Sequence, residues 1–407
     1  MRSWIFFALL LLLQEAQAQF KADNVKYTNV FPQELCRTLK ANPGYVLLDV
    51  RSQGEFDDTA SASPGLNIGR MKDAAHIDIR QLPARWKELL PYKDKPLFIY
   101  CSHSQRSRRA SRLLADSGFT KVFNVDGGLT NFYAQGIAND PCAAYAITTA
   151  VPYKFVAPAQ LAHMADFKQP YFLLDIRSDS AFKSISTEPS INAQGHFDNA
   201  VNIPYAKLAG SLAQIPAGKP ILIIDEFGNE SPLAAKLLIE KGFKNVSILF
   251  NGMSEWLDYA VETTSLTPVR WTPGVNYKII SADAFDKTMK SGKAIVLVDA
   301  RSKPEFTNTS KSYWQNIGQI KNAVNIPAAD LGNSTSQLPA DKNTTVIVYG
   351  FNDQDDIHQV AATLKSQGYN NVAVLRGGIW YLRWASHNLK GKAHLNDWVV
   401  NVPPENQ

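Results

Sequence analysis

The stretch Tyr27-TNVFPQELCRTLKANPGYVLLDV-Arg51 decides how the chain is read, because it returns twice. Tyr153-KFVAPAQLAHMADFKQPYFLLDI-Arg177 and Tyr277-KIISADAFDKTMKSGKAIVLVDA-Arg301 line up with it without a gap. Each begins at a Tyr, carries a helical pattern, then a short apolar run, and ends in Asp-x-Arg. The three aspartates are Asp49, Asp175 and Asp299. Their spacing is far longer than a solenoid repeat and is the size of a domain, so each copy is expected to bury its own core.

Working outward, the same parts follow in the same order. A glycine-led turn and short strand come next, at Gly69, Gly195 and Gly318. An apolar, β-rich run follows at Pro96-LFIY, Pro220-ILIID and Thr345-VIVYG. A helical pattern and a last strand ending in a glycine turn complete each copy. Short apolar runs alternating with helical patterns predict an α/β fold, three tandem domains, each a parallel sheet with helices on both faces. Ligands of such sheets bind beyond the carboxyl ends of the strands. The expected boundaries are 25–140, 150–262 and 274–392, with linkers near 138–152 and 262–275 and a polar C-terminal tail at 393–407.

The chain has 407 residues, 45% hydrophobic and 19% charged, with a net charge of +5. That composition suits globular domains and excludes a disordered chain. No basic stripe interleaved with aromatics is present, so no nucleic acid partner is expected. Arg2, the apolar run Trp4–Leu13 and the small-x-small pattern ending at Ala18 predict a signal peptide over 1–18. The expected location is therefore exported, periplasmic or secreted, with no membrane contact after cleavage. The uncleaved anchor is the alternative.

The cysteines are Cys36, Cys101 and Cys142. None forms a C-x-x-C pair and no histidines cluster at ligand spacing, so neither metal nor organic cofactor is expected. Cys101 opens the segment Cys101-Ser102-His103-Ser104-Gln105-Arg106-Ser107, between a strand and a helix. Such a loop can curl its N–H groups around one point and stabilise a thiolate nucleophile. The bland alternative is a buried, inert cysteine. Arg106 adds a planar cation suited to oxyanions. His103 is read either as a local acid–base group or as a solvated loop residue. Arg108, Arg109 and Arg112 read either as cations that draw anions toward the loop mouth or as a solvated helix face.

Asp49-Val-Arg51 with Glu55 and Phe56, the Cys-led loop and the late Gly-Gly resemble the rhodanese family of sulfurtransferases. The resemblance implies a persulfide mechanism. Cys101 is then the sulfur carrier, the N–H groups from Ser102 through His103, Ser104 and Gln105 to Ser107 cradle the persulfide, and Arg106 meets an anionic sulfur donor. The implied partners are a small anionic donor and a thiophilic acceptor. In that family a six-residue loop suits sulfur, and a loop one residue longer suits phosphate or arsenate. Arg at 106 rather than 107 favours sulfur. Ser104 stands where the family often has Gly, and its Cβ is expected to narrow the pocket or alter the loop dihedrals.

The sister copies carry Asp225 and Gly350 at the Cys101 position, and Glu230 and Asp355 at the Arg106 position. Neither can carry sulfur, and both are expected to be degenerate. Asp49 and Arg51 recur where chemistry is gone, which marks them as structural. Cys36 and Cys142 are either a disulfide or two unpaired thiols. Competing with the enzyme are a non-catalytic multi-rhodanese scaffold, with a protein partner engaged through copies two and three, and a cysteine phosphatase or arsenate-reducing enzyme.

Overall fold

The computed structural model describes residues 26–136, 142, 145–166, 171–263, 270–333, 337–389 and 391–403. The expected signal peptide lies outside them. In copy one the elements are β1 (Thr28–Val30), α1 (Pro32–Ala41), β2 (Val46–Asp49), α2 (Gln53–Phe56), β3 (Arg70–Met71), β4 (Ala75–His76), α3 (Leu82–Arg85), β5 (Leu97–Tyr100), α4 (Gln105–Asp116), β6 (Val122–Val125), α5 (Gly128–Ala134) and β7 (Ile147–Thr148). Five strands form a sheet in the order β1-β6-β5-β2-β4. Every neighbouring pair is parallel.

Alternation along the strands explains the two layers. Leu47 and Phe98 face one apolar cluster with Leu35 and Leu39 of α1 and Leu129 and Phe132 of α5. Leu48, Leu97 and Ile99 face the other, against Ala110 and Leu114 of α4. Both faces are covered, so the strands read as unbroken apolar runs rather than as alternating ones. Copies two and three repeat the five-stranded sheet in the same spatial order. Copies one and two, without residues 187–193, form one compact unit, and copy three together with 187–193 forms a second.

The Asp-x-Arg motif has the same job in all three copies. Arg51 Nη2 bonds the Asp49 carboxylate at 2.7 Å and the carbonyl of Gly69 at 2.6 Å. Arg177 does so with Asp175 and Gly195 at 2.7 and 2.9 Å. Arg301 does so with Asp299 and Gly318 at 2.7 and 2.8 Å. All six charged residues are buried. The ion pair ends the second strand and ties it to the glycine turn.

That turn has a further partner that the expected boundaries miss. β3 pairs antiparallel with β7, Arg70 facing Thr148 and Met71 facing Ile147. His196–Phe197 pairs in the same way with Trp271–Thr272, and Gln319–Ile320 with Val399–Val400. Each copy is thus closed by a strap from beyond its expected end. The straps draw Ile147–Thr148 and Trp271–Thr272 of the two linkers onto the copy before them, whereas Val151 and Val275 pack against the core of the copy that follows. The tail expected at 393–407 is corrected likewise: Leu395 is buried in copy three and Trp398 Nε1 donates to Asp286 at 2.8 Å. The straps need glycine beside them. A Cβ on Gly69, which has φ +72°, would sit 2.3 Å from the Thr148 carbonyl oxygen.

Cys36 of α1 and Cys142 form a disulfide. It pins the segment leading to β7 onto copy one and leaves Cys101 as the free thiol among the described residues.

Candidate active site

β5 delivers Cys101 to the carboxyl edge of the sheet, and α4 starts four residues later. Cys101 is 1% exposed. Its Sγ accepts the Ser104 N–H at 3.2 Å and donates to Ser107 Oγ at 3.6 Å. Ser107 Oγ donates in turn to the Ser104 carbonyl at 3.0 Å. The Cys101 and Ser102 carbonyls accept from Leu129 and Thr130 of α5, at 2.9 and 3.0 Å. The nucleophile candidate is therefore clamped between the starts of two helices.

Ser104 keeps the loop dihedral that glycine takes elsewhere. Its φ is +91°, and Gly228 at the same position of copy two has +78°. A side chain there is strained, and a local network offsets the strain. Ser104 Oγ donates to Asp126 Oδ1 at 2.6 Å and accepts the Gly127 N–H. Arg108 Nη2 reaches both Asp126 oxygens at 3.1 Å. Arg108 is thus a paired group on the site's flank rather than part of a solvated face. Of the two expected effects of the Ser104 Cβ, a narrowed pocket or altered dihedrals, the second is not seen relative to copy two, since both residues have positive φ.

The structure places Arg106 against Glu55. Nη1 and Nη2 meet the two carboxylate oxygens at 2.5 and 2.6 Å, and Nη2 also donates to Ser102 Oγ at 2.7 Å. The Glu55 side chain is 5% exposed and that of Arg106 26%. Burial acts to raise the Glu55 carboxyl, but the hydrogen bonds from Arg106 and Ser52 outweigh it and hold the group at about 2. Burial acts to lower Arg106, and Glu55 reverses it, so the guanidinium is raised. Glu55 also closes a capping box with Ser52 at the start of α2. Sequence reasoning quoted Glu55 within the motif but assigned it no place at the site. The signal was present in the repeats: copy two has Ala181 there and has lost the Arg as well.

His103 lies on the exposed rim, Nδ1 2.9 Å from Ser102 Oγ and Nε2 3.2 Å from Thr130 Oγ1. Gln105 is exposed at the first position of α4. Among the described residues no group of His, Cys, Asp and Glu side chains could hold a metal ion.

Copy two shows what this loop geometry can bind. The Asp225 carboxylate, at the Cys101 position, accepts N–H groups from Gly228, Glu230 and Ser231 at 2.8, 2.8 and 2.9 Å. Those donors occupy the positions of Ser104, Arg106 and Ser107. In copy three, Asp353 instead accepts the Gly377 N–H at 2.8 Å and pairs with Arg376.

A family profile for the rhodanese-like domain matches residues 32–135, 157–259 and 281–382, so the chain belongs to the rhodanese-like family. It is 30% identical over 104 residues to the thiosulfate sulfurtransferase GlpE of Shewanella oneidensis, covering 26% of this chain and 92% of that protein. It is 33% identical over 105 residues to the protein YqhL of Bacillus subtilis, covering 24% and 74%. It is 31% identical over 99 residues to the tRNA uridine(34) hydroxylase of Cytophaga hutchinsonii, spanning 24% of this chain and 28% of that enzyme. Among solved structures, the thiosulfate sulfurtransferase of Pseudomonas aeruginosa aligns at 16% identity and a TM-score of 0.23, over 86% of this chain and 66% of that one. The chain is a member of a sulfurtransferase family, built from three of its domains.

Proposed function

We propose that this chain is an exported sulfurtransferase, periplasmic or secreted, that moves sulfane sulfur from thiosulfate or a similar donor to a thiophilic acceptor through Cys101. The thiolate attacks the outer sulfur of thiosulfate, the S–S bond breaks, and sulfite leaves with the bonding pair. Cys101 is left as Cys–S–S⁻. An acceptor such as cyanide takes the terminal sulfur as thiocyanate and returns the thiolate, with no net oxidation.

One observation carries this reading. The Asp225 carboxylate oxygens are two bonds from Cβ, and they sit on three N–H groups of the loop. The terminal sulfur of a cysteine persulfide is also two bonds from Cβ and also anionic. The copy-one loop starts α4 and already aims the Ser104 N–H at Sγ, so a persulfide there meets donors at the same loop positions. Export is supported by the N-terminal pattern and by the Cys36–Cys142 disulfide, which suits an oxidising compartment.

Sulfur transfer from thiosulfate to cyanide, read as thiocyanate, tests the proposal. The chain is expected to turn over and Cys101→Ser is expected to lose all activity. Activity that survives in Cys101→Ser, or transfer from neither thiosulfate nor polysulfide, sinks it. The scaffold reading keeps one observation for copies two and three. Asp225 fills its own loop, and Asp355 accepts the Ser190 N–H at 2.8 Å, so both positions serve internal contacts.

A further inference from the structure

The best cation for an inorganic donor at this site is already engaged. Thiosulfate presents a sulfonate-like group that seeks a fixed positive charge, and Arg106 is the guanidinium in the loop. Both its terminal nitrogens are held by Glu55, at 2.5 and 2.6 Å. A bidentate, half-buried pair of this kind is among the stronger polar contacts in proteins. A dianion that approaches Arg106 must displace the Glu55 carboxylate or bear its repulsion. A donor whose leaving group is a carbon-bound thiolate carries no such group and needs no such displacement.

Neither sister copy keeps the complete pair. Copy two has lost both members, with Ala181 and Glu230 at their positions. Copy three keeps Glu305 in a capping box with Ser302 but has Asp355 in place of the arginine. Only copy one combines the acid, the arginine and the cysteine.

We propose that Glu55 is a positioning residue that withholds Arg106 from inorganic dianions, so that the preferred donor of Cys101 is an organic persulfide, R–S–SH. The proposal rests on the sulfur-transfer reading and narrows its donor. The Cys101 thiolate attacks the outer sulfur of R–S–SH, the S–S bond breaks, and R–S⁻ leaves with the electron pair. Cys101 becomes Cys–S–SH, whose proton passes to solvent. Sulfur is exchanged between thiols without an external oxidant or reductant.

The test follows loading of Cys101 in the full chain by intact mass, as the gain of one sulfur. Glutathione persulfide and thiosulfate are each varied to obtain a half-saturating concentration and a limiting rate. Glu55→Gln is the informative variant, because Gln at this helix position still closes a capping box and removes only the charge. It is expected to lower the half-saturating thiosulfate concentration about tenfold, and to raise thiosulfate efficiency relative to persulfide by a similar factor. Ser52→Ala weakens the same box but leaves the carboxylate on Arg106, and is expected to leave that ratio where it is in the native chain. An unchanged ratio in Glu55→Gln overturns the proposal, as does an equal shift in Ser52→Ala. Loading from neither donor in the native chain is a separate result, which removes the sulfur-transfer reading and this proposal with it.

Discussion

Ser104 shows how a single side chain can be strained and still be kept. Its positive φ suits glycine, and the Asp126–Arg108 pair holds it in place. Asp126→Ala is therefore expected to leave the half-buried Arg108 without this carboxylate and to slow Cys101 loading about tenfold, at a stability cost of about 1–3 kcal/mol. Adding Ser104→Gly in that background is expected to recover part of the rate, since glycine adopts the dihedral freely. Single-turnover loading of the two variants is the measurement. Glu55 makes a second prediction at this scale. Its carboxyl is held at about 2, against an ordinary value of 4.5. The stability it adds is fully present above pH 4.5 and is lost as pH falls from there through 2. The difference in unfolding midpoint between the native chain and Glu55→Gln should shrink across that window. A difference that stays constant from pH 5 to pH 2.5 contradicts the pairing.

At the scale of elements, the recurring Asp-x-Arg tie joins a strand end to a glycine turn and is structural in every copy. Removing one member leaves a buried, unpaired charge. Arg177→Ala, in a copy without a cysteine of its own, is expected to cost about 3–5 kcal/mol in chemical denaturation. The four- and five-residue apolar runs of the central strands were legible because burial on both faces leaves an unbroken signature. So was the Cys101 loop, which lies at a strand end within one contiguous segment. The straps were not legible, because two-residue strands carry no period and their partners lie more than seventy residues away. The Glu55–Arg106 pair, 51 positions apart in the chain, left only an indirect trace, the loss of both members in copy two. Arg108 looked like a surface cation because its partner, Asp126, comes from the next strand's turn.

For the molecule as a whole, the sequence left Cys36 and Cys142 as two alternatives, and the structure joins them across 106 residues. Denatured, unreduced protein should show one reactive thiol, and reduction should cost about 2–5 kcal/mol of stability. Three reactive thiols would contradict the bridge. Within the unit formed by copies one and two, Gly65 abuts the loop of copy two. A Cβ there would lie 2.6 Å from the Gly228 carbonyl oxygen. Gly65→Ile is expected to destabilise that unit by about 1–3 kcal/mol, seen as a lower midpoint of thermal unfolding.

The straps also bear on how such a chain can be cut. The family match to copy one stops at residue 135, yet β7 lies at Ile147–Thr148 and the Cys36 partner at Cys142. A fragment ending at the family boundary would keep the sheet and the Cys101 loop. It would also carry an orphaned thiol at Cys36 and the bare backbone of β3, a ready template for sticking to its own kind. Aggregation and disulfide-linked dimers are the expected fate of such a piece, whereas one ending near residue 150 would take its lock with it.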